Sequence, residues 1–339
     1  MLKLFNLYLI ILATAIIISC QGQKNNKVMT DKTKGNPLLC DPVEGICGIP
    51  DSANNAKIKI QKNARPVKVV YFTDPICSSC WGIEPQLRKL KLEYGNSMEI
   101  EYRMGGLLPD WSYNSGGISK PSDVAHHWDE VSVHYDMPIN GDVWLEDPLP
   151  SSYPPSIAFK AAQMQDADIA ILFLREIREM VFLQKKNITK WEHLEAAAKK
   201  VGLNATQLKI DYEGKGKSLF EEDLKLARQF GVRGFPTMFF IDKDGNKETV
   251  YGSKPYAFYE TAVLKLSPSM AKSEYSKNWE TLFYKYNSLT AKEFSELSGM
   301  PRSESEKHLN ELSDKNVLEK ATTKNGAIWK LKSVGNKVE

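Results

Sequence analysis

Two thiols separated by two serines, Cys77-Ser78-Ser79-Cys80, are the residues of this chain best suited to chemistry. Thiols so close in sequence can close a disulfide on one another and reopen it by exchange with a thiol of another molecule. Exchange needs a thiolate, and the surrounding sequence offers a way to make one. Val69 to Thr73 is a β-branched and aromatic run suited to a buried strand, and Asp74-Pro75-Ile76 is a short turn. The residues after Cys77 have helical spacing, so the first sulfur is expected at a helix N-terminus. Unpaired N–H groups and the positive end of the helix dipole there favour the anion. A thiol so placed has its pKa lowered from about 8.5 to roughly 3.5–7.5. The spacing also fits half of a zinc site, which needs a second pair of ligands.

The elements that must position this pair are legible on both sides of it. Pro66 to Thr73 reads as a central strand. The helix after Cys77 continues through Ile83, Leu87, Leu90 and Leu92 and stops at Gly95. Met98 to Arg103 alternates apolar and polar residues as a second strand, which completes a βαβ unit. Gly105 to about Pro155 is irregular and aromatic, and from Ser156 the chain turns helical. Ala158, Ala161 and Ala162 share one helix, and Ile171, Leu172, Leu174, Ile177 and Val181 a second; Lys190–Val201, Asn204–Lys209 and Leu219–Phe230 follow. Gly231 then leads into Val232-Arg233-Gly234-Phe235-Pro236-Thr237 and a strand. Lys243-Asp244-Gly245-Asn246 turns that strand into a hairpin, and Tyr256–Leu266 closes the domain as a helix. A proline opening a strand needs a special position, and Phe235–Pro236 is the kind of bond that can be cis at low cost.

The N-terminus bears on compartment. Met1 to Ser19 holds Lys3 and then an apolar run ending Ile17-Ile18-Ser19-Cys20, the pattern of an export signal. Its ending resembles a bacterial lipobox, which implies cleavage before Cys20, a lipid on that sulfur and anchorage in the bilayer of the cell envelope, facing periplasm or exterior. An uncleaved anchor and a cytoplasmic protein with a misplaced start are the other readings. With Cys20 lipidated, four of the five cysteines remain, and four allow three pairings. Proximity favours Cys40 with Cys47 and Cys77 with Cys80, because Asp-Pro-Val-Glu-Gly-Ile between the first two is turn-forming. Cys40 and Cys47 then form a structural staple, a second redox pair, or half of a four-thiol metal site. A net charge of +3 over 339 residues gives no polyelectrolyte signature for nucleic acid.

The strand and C-x-x-C helix, the helical insertion, and Gly-Val-Arg-Gly-Phe-Pro-Thr before a hairpin together resemble the DsbA-like branch of the thioredoxin superfamily. Pro85, five residues past Cys80, stands where such folds carry a kinking proline. Asp74-Pro75-Ile76-Cys77 with Cys80-Trp81, Gly141-Asp142-Val143-Trp144, Pro150-Ser151-Ser152 and Lys185-Lys186-Asn187-Ile188-Thr189 look like the FrnE-like proteins. They also look like the adapters that deliver a stress regulator to the ClpXP protease, a comparison the tail supports because those adapters also end in a small helical and winged segment. The resemblance implies an α/β thioredoxin-like fold over 59–266, with an insertion at about 105–216. It makes Cys77 the nucleophile, Cys80 the resolving thiol, Pro236 the facing cis-proline, and Phe235 and Trp81 the client-binding residues. The position six before Cys77, an acid in many thioredoxin-fold enzymes, is Tyr71; Glu84, one turn beyond Cys80, is expected as a solvated helix carboxylate, a substitute proton acceptor being the alternative.

A further segment, 277–335, carries two capping-box patterns, Thr290–Glu293 and Ser303–Glu306, and a turn at Lys324-Asn325-Gly326. It reads as a small winged-helix-like module whose acidic second helix argues against DNA as its partner. His126, His127 and His134 lack acidic or cysteine partners at ligand spacing, so no metal is expected there. The expected activity is thiol–disulfide exchange on exported protein clients, as oxidase or isomerase. It needs no cofactor beyond the Cys77–Cys80 disulfide and exchanges electrons with a membrane donor or acceptor. The alternative is a non-enzymatic adapter that binds a regulator for ClpXP.

Overall fold

The computed structural model describes residues 65–112 and 119–332, and before them the backbone of 40–41 and 46–48. The signal segment Met1–Ser19, Cys20 and most of the tether read at 20–58 lie outside the described residues. Two short strands come first, β1 (Cys40–Asp41) and β2 (Ile46–Gly48). Next come β3 (Val67–Thr73), α1 (Ser78–Gly82), α2 (Glu84–Tyr94) and β4 (Met98–Met104), with β3 and β4 parallel, as a βαβ unit requires. The insertion holds α3 (Pro121–Tyr135), α4 (Val143–Glu146), α5 (Tyr153–Gln165), α6 (Ala167–Leu183), α7 (Trp191–Val201) and α8 (Ala205–Glu213). Then α9 (Lys215–Gln229) leads to β5 (Gly234–Phe235), β6 (Thr237–Asp242), β7 (Lys247–Tyr251) and α10 (Tyr256–Leu266).

The central sheet has the order β4-β3-β6-β7, with β6 antiparallel to both neighbours. Six of the seven β3 residues are buried, because helices cover both faces of this strand. That is why its sequence is a near-continuous apolar run.

Two expectations need correction. The helix after Cys77 is broken at Ile83: Pro85 has no N–H to give to Trp81, so α1 ends after one turn and α2 starts afresh. The aromatic stretch read as irregular contains α3, whose inward residues Val124, Trp128, Val131 and Tyr135 keep helical spacing. Its Gly- and Pro-rich flanks masked that period. Trp128 meets Trp144 edge to face with centroids 5.2 Å apart.

The last segment comprises α11 (Trp279–Tyr286), β8 (Ser288–Thr290), α12 (Ala291–Ser298), α13 (Arg302–Asp314), β9 (Leu318–Thr323) and β10 (Gly326–Leu331). Its three strands form a separate sheet, β8-β10-β9, over a core of Phe283, Phe294, Leu309 and Trp329. The Thr290–Glu293 capping box forms as expected. The Ser303–Glu306 box does not, because α13 already starts at Arg302 and Ser303 lies within its first turn.

Buried charges join this segment to the thioredoxin-like part. Arg175 of α6 places Nη1 and Nη2 at 2.8 and 3.1 Å from the Glu293 carboxylate, and its Nε at 2.9 Å from Glu179. Arg88 of α2 donates to the Ser288 carbonyl at 2.8 Å, and Lys330 reaches Glu179 at 2.6 Å. Burial alone would raise the Glu179 carboxyl, but Arg175, Lys330 and the Ser288 hydroxyl hold it at about 2. Removing one partner from such a set strands a buried charge, at about 3–5 kcal/mol. Arg175→Ala should therefore lower stability by about that amount in guanidinium unfolding and expose the 277–332 segment to trypsin first. A loss below about 1 kcal/mol, in the range of a surface ion pair, would contradict the buried role given to Arg175.

Candidate functional site

The site is built on the turn between β3 and α1. Asp74, fully buried, accepts from Ile76 N–H at 3.0 Å through Oδ1. Its Oδ2 accepts from Leu107 N–H and the Ser152 hydroxyl, each at 2.8 Å. The turn is thereby fixed, and Cys77 caps α1, its Sγ accepting from Cys80 N–H at 3.2 Å. Ser79 shares a hydrogen bond of 2.8 Å with the Tyr135 hydroxyl. That contact needs Gly82: a Cβ there would lie 2.6 Å from the Tyr135 ring.

Arg178 of α6, with no exposed surface, reaches the same place from the insertion. Its Nη1 donates to Glu84 at 2.7 Å, and its Nη2 to the Thr73 hydroxyl at 2.6 Å and the Asp74 carbonyl at 3.2 Å. The Thr73 hydroxyl also lies 3.0 Å from the Tyr71 hydroxyl. Burial pushes the Tyr71 phenol well up, so it stays neutral and is no substitute for a carboxylic acid.

The electrostatics of the two sulfurs differ from expectation. Burial, the hydrogen bond with Cys80 and the nearby Cys80 and Asp74 charges push the Cys77 thiol well up. Burial also opposes ionisation of Cys80, but the Cys77 thiol, Arg178, the Thr73 hydroxyl and the Asp74 backbone overcome it and lower its pKa. The surroundings thus favour the anion on Cys80 and oppose it on Cys77. Cys77 does stand at the helix N-terminus and accepts an N–H there, as expected, but α1 is a single turn and the sulfur is enclosed, so burial opposes that help.

Phe72 pairs with Thr237, which brings Pro236 level with Thr73 at the end of β3 from which the dithiol turn departs. The Phe235–Pro236 bond is cis, as the resemblance implied. Phe235 is fully buried and packs so close to Gly105 that a Cβ there would lie 1.8 Å from the ring. Its backbone is paired with β2, Cys47 standing opposite Phe235. Trp81, expected to face a client, is enclosed instead: it stacks on Phe182 at 5.5 Å, lies 4.3 Å under Arg175 and donates to the Pro138 carbonyl at 3.1 Å. Glu84, expected in solvent, is buried and paired with Arg178, and nearby arginines overcome burial to lower its pKa.

Cys40 stands opposite Cys47 in the β1–β2 ladder. Among the described residues, no cluster of three or more His, Cys, Asp or Glu is placed to hold a metal. His127 is buried in α3, and that burial lowers its pKa to about 4.

Three residues of the site escaped the sequence: Arg178, and the roles of Asp74 and Ser152. Arg178 stood in view, one residue after Ile177 and inside the apolar stripe of α6, where a charge is out of place.

Asp74 makes a pH-dependent contribution with a definite sign. Burial raises its pKa to about 6, despite the Leu107, Ile76 and Ser152 donors and Arg178. The folded chain thus holds a proton that the unfolded chain has released from about pH 4 upward. The stability linked to this group is full below that pH and is lost as pH rises to about 6. Asp74→Asn should gain on the parent by about 3 kcal/mol between pH 4 and pH 7 in paired denaturation curves. A difference that does not change with pH would contradict this environment for Asp74.

Comparison with known proteins agrees with this architecture. A family model described as Thioredoxin matches residues 71–261. The ClpXP adapter protein SpxH of Halalkalibacterium halodurans is 33% identical over 303 residues, which cover 87% of this chain and 97% of that protein. The protein of the same name from Shouchella clausii is 30% identical over 295 residues, covering 86% and 96%. Among solved structures, a candidate protein disulfide isomerase from Nitrosomonas europaea superposes with a TM-score of 0.51 at 18% identity, over 59% of this chain and 97% of its own, a likeness of fold. The chain belongs to the thioredoxin-like family that takes in the proteins named SpxH.

Proposed function

We propose that this protein is a client-binding adapter built on a thioredoxin fold, which captures a protein and presents it to a ClpXP-type protease. The observation that carries this reading is the extent of the likeness to the SpxH proteins, 97% of the first one's length. Buried ion pairs tie the C-terminal segment to the thioredoxin-like part, which suits a protein that presents a bound client. The state of the dithiol supports it as well: Cys77 is enclosed and held as a thiol, which suits binding better than turnover.

A second reading, thiol–disulfide oxidoreductase, is favoured by one specific observation. Cys80 is tuned toward the thiolate by Arg178 and Thr73, an arrangement that an adapter indifferent to redox chemistry does not need. Under it, the Met1–Ser19 signal and a lipidated Cys20 place the protein in the cell envelope, with protein thiols as clients and a membrane electron donor or acceptor as partner. ClpXP is then out of reach.

The two readings divide on compartment and on thiols. The adapter should fractionate with the soluble proteins, carry no palmitate label at Cys20, and co-purify with ClpX after crosslinking whether or not Cys77→Ser and Cys80→Ser are present. A labelled, membrane-bound chain that oxidises reduced ribonuclease A, and loses that activity completely with Cys77→Ser, would overturn the adapter reading in favour of the oxidoreductase.

A further inference from the structure

We propose that Cys40 and Cys47 form a second redox site that exchanges disulfides with Cys77 and Cys80 within the chain, Cys47 being the residue that links to Cys77. The inference goes beyond the adapter reading and depends only on the dithiol.

The placement of the backbone carries it. In β1 and β2, Cys40 and Cys47 are direct partners in an antiparallel ladder. Directly opposed residues in such a ladder have Cα atoms about 4.5–5.5 Å apart, inside the roughly 4.4–6.8 Å that a disulfide spans. The other edge of β2 pairs with β5, Cys47 opposite Phe235 and Gly48 opposite Gly234. β2 also lies against α1, the helix that Cys77 caps.

An open strand edge beside a dithiol is where an extended client segment adds as a further strand. Here the chain's own β2 takes that edge, and the residue it sets opposite Phe235 is a cysteine. A staple that served only to pin the entry segment would need no such register. The segment is thus placed in register as a client strand would be, with a cysteine opposite the residue that precedes Pro236.

The chemistry balances within the chain. Starting from a Cys77–Cys80 disulfide supplied by a small-molecule disulfide, the Cys47 thiolate attacks Sγ of Cys77. A Cys47–Cys77 bond forms, the Cys77–Cys80 bond breaks, and Cys80 leaves as the thiolate. The charge of Arg178 and the Thr73 hydroxyl, which favour that anion, make it the better leaving group. The Cys40 thiolate then attacks Sγ of Cys47 and releases Cys77, which takes up a proton. Two electrons have passed from the Cys40/Cys47 dithiol to the Cys77–Cys80 disulfide, and the reverse sequence returns them.

The full chain carrying Cys40→Ser and Cys80→Ser keeps the two sulfurs to be joined. After reduction and exposure to oxidised glutathione, a non-reducing tryptic digest should contain the Cys47–Cys77 linked peptide. It should be roughly tenfold more abundant than the Cys40–Cys77 peptide from the Cys47→Ser/Cys80→Ser chain, because register raises the effective concentration of one sulfur over the other. Cys77 found only with glutathione or Cys20, or equally with Cys40 and Cys47, overturns the proposal. The parent chain gives a reading independent of how the variants fold: acid-quenched samples across a glutathione redox titration should contain the same linked peptide. Its absence at every ratio overturns the proposal as well.

Discussion

A guanidinium with no access to water sets the terms for this structure. Arg178 enters the core from the helical insertion and ends on groups of β3, the dithiol turn and α2. A cation so buried needs compensation, and here a carboxylate, a hydroxyl and a carbonyl meet its two Nη groups, while Nε has no hydrogen-bond partner among the described residues. The insertion is therefore a wall of the thiol site rather than an appendage. The same charge, together with the Thr73 hydroxyl, favours the anion on Cys80.

One turn earlier on α6, Arg175 does for the C-terminal segment what Arg178 does for the dithiol. Glu84 and Arg88 on α2 lie between the two sets, Arg88 standing 3.8 Å from Glu84 and 3.3 Å from Glu293. Buried ionic contacts thus run from the thiols to the last sheet through α6 and α2. Sets of this kind add specificity more readily than stability, since each charge must first be stripped of water. What they secure here is one arrangement of insertion, dithiol turn and C-terminal segment.

The fold was largely legible in the sequence because its signals are local. The β3 run, the Asp244-Gly245 hairpin and the helices after Ser156 follow from periodicity and turn chemistry. Motifs that carried the family resemblance prove to be parts of one clamp. Ser152 holds Asp74, and Asn187 holds Asp147 and the Pro148 carbonyl at 3.3 and 3.1 Å, which steadies the loop that presents Ser152. The sequence could not weigh burial against charge. It placed Glu84 in water and Trp81 toward a client, and it activated Cys77 by a helix that lasts one turn. The first two errors share an origin: α6 covers Glu84 and Trp81 from a distance in sequence of about a hundred residues, beyond any local pattern.

The central claim is that Arg178 and the enclosed turn reverse the usual order of the two thiols. Titration of the Cβ carbon shifts of Cys77 and Cys80 in the reduced, selectively labelled chain tests it directly. Cys80 should titrate first, below an ordinary cysteine, with Cys77 remaining protonated well above it. Arg178→Gln should move the Cys80 transition upward. If Cys77 instead titrates first, in the range of roughly 3.5–7.5 seen for activated thiols, the account of this site is wrong.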